Sequence, residues 1–171
     1  KSSGGGPVIQ ITGTAQNWRI HHITFDANSI PGYQIRVGDS TVSTDSYTYG
    51  LIDHNSFIHN DFNPPIFLEW TRGVGGLDTL AAGDWVWNKA AERGTAEAVY
   101  IEDNDFVDLS GTYANEVDCR WGCKYVFRYN TVHNPWIDTH SGCTNTGRQP
   151  MWQEIYNNTF DRVSNSFAIN K

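Results

Sequence analysis

Residues 125–132 read YVFRYNTV, and the chain repeats this phrase as GLIDHNSF at 50–57, VYIEDNDF at 99–106 and QEIYNNTF at 153–160, with WRIHHITF at 18–25 as a looser version. Align the five on their last apolar residue: Phe25, Phe57, Phe106, Val132 and Phe160. Two places earlier stand Ile23, Asn55, Asn104, Asn130 and Asn158, and five places earlier Ile20, Ile52, Ile101, Phe127 and Ile155. Successive copies lie 32, 49, 26 and 28 residues apart. A strand rises about 3.3 Å per residue, so ~25 residues make one coil of three short strands with their turns. The longer gaps then hold insertions. Four asparagines at one offset, each framed by apolar residues at two fixed places, mark a structural repeat rather than a run of unrelated antiparallel strands.

A second strand recurs between the copies. Its core is an apolar–polar–apolar triplet: Ile9-Gln10-Ile11, Ile35-Arg36-Val37, Leu68-Glu69-Trp70, Val117-Asp118-Cys119, Ile137-Asp138-Thr139 and, less polar at its centre, Phe167-Ala168-Ile169. Period-2 alternation turns the flanking residues inward and the middle one outward. Repeats of this kind predict an all-β parallel solenoid of about five coils, with like residues stacked in ladders and the asparagines hydrogen-bonded between coils at a tight inner turn. The whole chain, 1–171, reads as a single domain or as a piece of a longer solenoid, with an inserted loop at about 71–97 that carries Asp84, Trp85, Trp87 and Arg93. Both ends read as open coil faces, which predicts end-to-end self-association.

Composition narrows the function classes. The formal charge is −7 and the basic residues are scattered, which argues against nucleic acid as a partner. No apolar run approaches membrane-spanning length, so no membrane partner is expected.

The Asn55, Asn104, Asn130 and Asn158 repeat with its flanking Ile and Phe resembles the right-handed parallel β-helix of the pectate-lyase-like superfamily, over nearly the whole chain. The resemblance implies a right-handed coil and a substrate groove on the outer face of the triplet strand, here the Gln10–Arg36–Glu69–Asp118–Asp138–Ala168 column. It implies little about chemistry, since this fold hosts lyases, hydrolases, esterases, phage tailspikes and adhesins; a polysaccharide substrate is read from the groove residues, and secretion from the cysteines. Within that superfamily, EVDCRWGCKYVFRYNT followed by WIDTHSG is similar to the alginate lyase and chondroitinase B family, where an acid-bearing strand leads to a catalytic lysine and the next coil carries Arg-His-Gly. The arginine is out of place here and the lysine spacing differs, so only the location of the groove carries over.

The expected column has a definite chemistry. Strands stack about 4.8 Å apart, so Glu69, Asp118 and Asp138 would form a row of like charges that must take up a proton or share a cation. An all-oxygen row of this kind suits Ca²⁺. Two places along the strands lie Arg120 and His140, and two places before lie Glu116 and Trp136. Acids, bases and an aromatic platform are the parts of a sugar-cleaving groove. In a uronic-acid lyase, calcium would neutralise the substrate carboxylate and Arg120, His140 or Lys124 would take the proton beside it. In an inverting hydrolase two of the acids would act across a water, with their carboxyls ~6.5–9.5 Å apart. Asp118, Asp138, Arg120, His140 and Lys124 are thus the catalytic candidates, and Glu69, Glu116, Arg36, Trp136 and Arg72 the substrate-binding ones. The alternative is a non-catalytic glycan-binding, adhesin or filament solenoid.

Three cysteines remain. Cys123 and Cys143 stand twenty residues apart, the offset between Asp118 and Asp138, so stacking predicts a Cys123–Cys143 disulfide and an oxidising, extracellular setting. Cys119 faces inward as a free core thiol; the alternative, a Cys119–Cys123 pairing within CRWGC, would join side chains of opposite orientation. No spacing suits zinc. The column His21–Asp53–Glu102–Arg128–Tyr156 reads as a solvated flank with ion pairs between coils.

Overall fold

The computed structural model describes residues 6–27, 32–38, 48–59, 63–69, 94–109, 116–120, 123–134, 138–139, 150 and 152–161. Among these the protein is all-β. The chain makes five passes of three strands each. The first is β1 (Ile9–Ile11), β2 (Gln16–His21) and β3 (Thr24–Asp26); the second is β4 (Ile35–Val37), β5 (Tyr49–Asp53) and β6 (Ser56–His59). The third is β7 (Ile66–Glu69), β8 (Val99–Glu102) and β9 (Asp105–Asp108); the fourth is β10 (Val117–Arg120), β11 (Lys124–Arg128) and β12 (Thr131–His133); the fifth is β13 (Asp138–Thr139), β14 (Trp152–Tyr156) and β15 (Thr159–Asp161). Each strand pairs in parallel with the strand three places further on. This gives three five-stranded sheets: A (β1-β4-β7-β10-β13), B (β2-β5-β8-β11-β14) and C (β3-β6-β9-β12-β15).

The repeated phrase spans the B-to-C corner of each pass. Its leading apolar residue is the inward ladder of sheet B, Ile20–Ile52–Ile101–Phe127–Ile155, and its last is that of sheet C, Phe25–Phe57–Phe106–Val132–Phe160. Phe25 stacks on Phe57 with ring centroids 5.0 Å apart, and Phe57 on Phe106 at 4.8 Å. That is the strand spacing itself. Sheet A adds Ile35, Val37, Ile66, Leu68 and Val117, and residues of all three sheets make one buried cluster.

The corner is tight because one residue per pass adopts left-handed backbone geometry: His22, His54, Asp103, Tyr129 and Asn157, each with φ between 54° and 58°. That conformation costs a non-glycine residue of order 1 kcal/mol, and the next residue offsets it. Asn55 Oδ1 accepts from the Ile23 N–H at 3.1 Å, Asn104 Oδ1 from the Asn55 N–H at 2.9 Å, Asn130 Oδ1 from the Asn104 N–H at 3.0 Å, and Asn158 Oδ1 from the Asn130 N–H at 2.9 Å. The amide nitrogens donate onward, as Asn104 Nδ2 does to the Ile52 carbonyl at 2.9 Å. The expected asparagine ladder is therefore present in atomic detail. Ile23, which breaks the motif, still occupies its place and offers only its backbone.

Two expectations are corrected. The first concerns the register at β7. Ile66 pairs with Val117 and Leu68 with Cys119, so Phe67 stands beside Asp118 and Glu69 beside Arg120. The stretch IFLEW holds two overlapping apolar–x–apolar triplets, and alternation alone does not choose between them. The ladder does, because Ile66 and Leu68 continue Ile35 and Val37. The second correction concerns the disulfide. Cys119 is joined to Cys123, not Cys123 to Cys143, with Cα atoms 5.9 Å apart. The Cys123 N–H donates to the Arg120 carbonyl at 3.2 Å, closing a turn between β10 and β11 that leaves both cysteines buried in the core. Cys143 lies outside the described residues, as do residues 70–93 of the inserted loop and the triplet at 167–169.

Candidate functional site

The outer face of sheet A is built around Phe67. Its column runs Gln10, Arg36, Phe67, Asp118, with Phe67 in the place expected for Glu69, and Asp138 is the next register position after Asp118. The Tyr33 ring stacks on Phe67 at 4.3 Å, nearly parallel, and the guanidinium of Arg120 lies 4.9 Å from the Phe67 centroid and that of Arg36 5.8 Å. Each arginine holds an acid: Arg36 is ion-paired with Glu69, and Arg120 Nη2 lies 2.8 Å from Asp118 Oδ2. Phe67 is 3 % exposed, Asp118 2 % and Glu69 1 %. Burial raises the Tyr33 hydroxyl above its ordinary pKa, with Arg120 opposing.

The expected row of three carboxylates is thus not assembled. Glu69 lies one outward position away from Asp118, opposite Arg120, and two of the three acids are already held by guanidinium groups. The calcium triad built on that row loses its geometry, and no group of three or more metal-ligating side chains occurs among the described residues. Asp118 and Asp138 remain register neighbours on adjacent strands. Of the other candidates, Arg36, Glu69, Asp118 and Arg120 come together around Phe67. Arg72, Trp136 and His140 lie outside the described residues.

Two further candidates stand elsewhere, as corrections. Lys124 begins β11 in sheet B, is buried, and its ammonium donates to the Ala96 carbonyl. It is therefore not on the sheet A face. Glu116 precedes β10 and is fully buried rather than outward. His59 Nε2 lies 2.9 Å from its Oε2, and Asp108 is the register partner of His59. Burial pushes the Glu116 carboxyl up to about 7, opposed by His59 and reinforced by the Asp108 charge. Nothing in the local sequence points to His59, because three strands, β7, β8 and β9, separate it from Glu116.

Sheet B presents the second polar surface. The flank His21–Asp53–Glu102–Arg128–Tyr156 is in register. Arg19 grips Asp53 through two contacts of 2.8 and 2.5 Å, and this hydrogen bonding holds the Asp53 carboxyl down at about 2. Arg128 Nε donates to Glu102 at 2.6 Å and Nη1 to the Tyr156 hydroxyl at 2.9 Å. Beside this flank runs the Arg19–Leu51–Tyr100 row, which edges an open cleft of about 510 Å³.

Comparison with protein-family models, curated proteins and solved structures gives no match for this chain.

Proposed function

We propose that the three sheets close into a right-handed parallel β-helix of the pectate-lyase-like kind, and that the protein is secreted and acts on a uronic-acid polysaccharide at the outer face of sheet A. The observation that carries this reading is the placement of Asp118 beside Asp138 with Arg120 held against Asp118 and Phe67 next in the column. Two acidic positions in register offer proton transfer, and Arg120 would have to exchange Asp118 for the substrate carboxylate to hold a uronate. Each pass returns through A, B and C in the same order, as a closed coil requires. The Cys119–Cys123 bridge supports an oxidising compartment.

A second reading, a non-catalytic glycan-binding solenoid, is favoured by one fact. Asp118 and Glu69 are both buried and both ion-paired, which is a resting arrangement for a scaffold as much as for a reagent. A screen of polygalacturonate, alginate and chondroitin sulfate, with and without Ca²⁺, separates the two. It follows unsaturated product by ultraviolet absorbance and new reducing ends by a colour assay. The catalytic reading expects cleavage that is lost in Asp118→Asn combined with Asp138→Asn while the thermal melt persists. Cleavage undiminished in that folded double variant would refute the site.

A further inference from the structure

Left-handed backbone geometry at a non-glycine residue is periodic in this fold, at the B-to-C corner of every pass. Among the described residues three depart from that period: Asn17, Glu97 and Asn134, with φ of 56°, 54° and 60°. Asn17 and Glu97 line the cleft on sheet B. At Asn17 the pairing of β2 with β5 slips: Gln16 pairs with Tyr49 and Trp18 with Gly50, so one residue is left over. A bulge of this kind re-aims the side chains that follow it, and strained backbone gathers at ligand clamps. The residues that follow it are Trp18, which packs against the core cluster at the edge of the cleft, and Arg19, which is half exposed. Trp18 lies against Gly50, where any Cβ would collide with its indole ring, and its Nε1–H donates to the Thr48 hydroxyl at 2.8 Å.

The cleft has an apolar floor and a polar rim. Its apolar lining is Trp18, Gly50, Leu51, Ala98 and Tyr100. The rim is made of fixed ion pairs: Arg19 holds Asp53, and Arg128 holds Glu102 while lying 5.0 Å from the Tyr100 centroid. The volume of about 510 Å³ falls within the ~300–1,000 Å³ of small-molecule sites. Each guanidinium already has its carboxylate and Glu97 adds another, so the cleft offers no surplus positive charge to an anion. The chain as a whole carries −7. A peptide strand finds no free edge across β5, β8 and β11, which are paired on both sides, and the free edge of β2 is the one away from them. What remains is a neutral ligand with apolar faces and many hydroxyls. Its C–H faces would rest on the floor, and its hydroxyls would exchange hydrogen bonds with donors and acceptors already locked in place.

We propose that the sheet B cleft is a binding site for neutral oligosaccharides, separate from the sheet A face and independent of any chemistry there. The test follows the Trp18 indole N–H of ¹⁵N-labelled protein by NMR, assigned with Trp18→Phe. Maltohexaose, cellohexaose, mannohexaose and the acidic tetragalacturonate are titrated at 20 and 300 mM NaCl, values chosen to span about 22 to 6 Å of Debye length. The expected result is a saturable shift from at least one neutral oligomer, with affinity changing less than about two-fold across the salt range. Leu51→Glu, a surface change in the floor, should weaken binding by about ten-fold or more, and Tyr100→Ala should do the same in protein that keeps its melt. Asp118→Asn should leave the Trp18 shift unaltered, and Leu51→Glu should leave any cleavage of uronic-acid polymer unaltered. The two sites can thus fail separately. No shift with any neutral oligomer, or a shift produced by tetragalacturonate alone and abolished by salt, overturns the proposal.

Discussion

Replacing Glu116 by glutamine tests how the fold treats a buried acid. The carboxyl is fully buried, its Oε2 lies 2.9 Å from His59 Nε2, and its pKa rises from an ordinary 4.5 to about 7. The direction of the linkage follows from which state holds the proton. Between pH 4.5 and 7 the unfolded chain releases the Glu116 proton while the folded chain keeps it. Stability therefore falls as pH rises through that window and is level on either side of it. A pKa difference of that size corresponds to about 3 kcal/mol at 25 °C.

Glutamine keeps the shape and the contact to His59 but cannot ionise. The expected outcome is that wild type and Glu116→Gln have nearly the same unfolding free energy near pH 4.5, and that the variant becomes more stable by about 3 kcal/mol near pH 8. Urea unfolding followed by tryptophan fluorescence at half-unit pH steps gives the difference directly. Titrations common to both proteins, including Asp53, cancel. A difference that is flat across pH would refute the reasoning. A difference of the opposite sign would show that a protonated His59 holds Glu116 ionised, and would refute it as well.

The other expectations concern the scaffold. Asn104→Ala removes the acceptor for the Asn55 N–H and the donor to the Ile52 carbonyl inside a buried ladder; it should cost about 2–4 kcal/mol by urea unfolding, against less for Asn158→Ala at the half-buried end. Peptide mapping without reduction should recover Cys119 linked to Cys123, and alkylation under denaturing conditions should label Cys143 alone. Cys119→Ser with Cys123→Ser opens a very short loop, so the loss should be about 2 kcal/mol; recovery of a Cys123–Cys143 peptide would refute the pairing.

The legible parts of this protein are those where a residue's role is decided within its own short segment. In I-x-x-N-x-F, the apolar ends, the left-handed residue and the asparagine all act inside one corner, so the inward ladders and the flank His21–Asp53–Glu102–Arg128–Tyr156 follow from counting alone. The hydrogen-bond partners of the asparagines follow too, because strands three places apart in the chain are neighbours in space.

The misread parts are those where two neighbouring elements must agree. At IFLEW, Phe67 is apolar yet outward, so the triplet centred on it looks like an unbroken hydrophobic run. The triplet centred on Glu69 looks like the better alternation. The deciding fact is three-dimensional: an aromatic ring held between Arg36 and Arg120 and stacked on Tyr33 is well accommodated outside the core. The same two-residue displacement carries Glu69 away from Asp118 and puts it opposite Arg120. It changes a row of uncompensated acids into two ion pairs. The Cys119–Cys123 pairing is hidden for a related reason: counting alternate positions fails between Arg120 and Cys123, where the Cys123 N–H donates to the Arg120 carbonyl. The chemistry of the sheet A face therefore rests on a register choice that the ladder residues Ile66 and Leu68 make, and not on the charged residues that would carry the function.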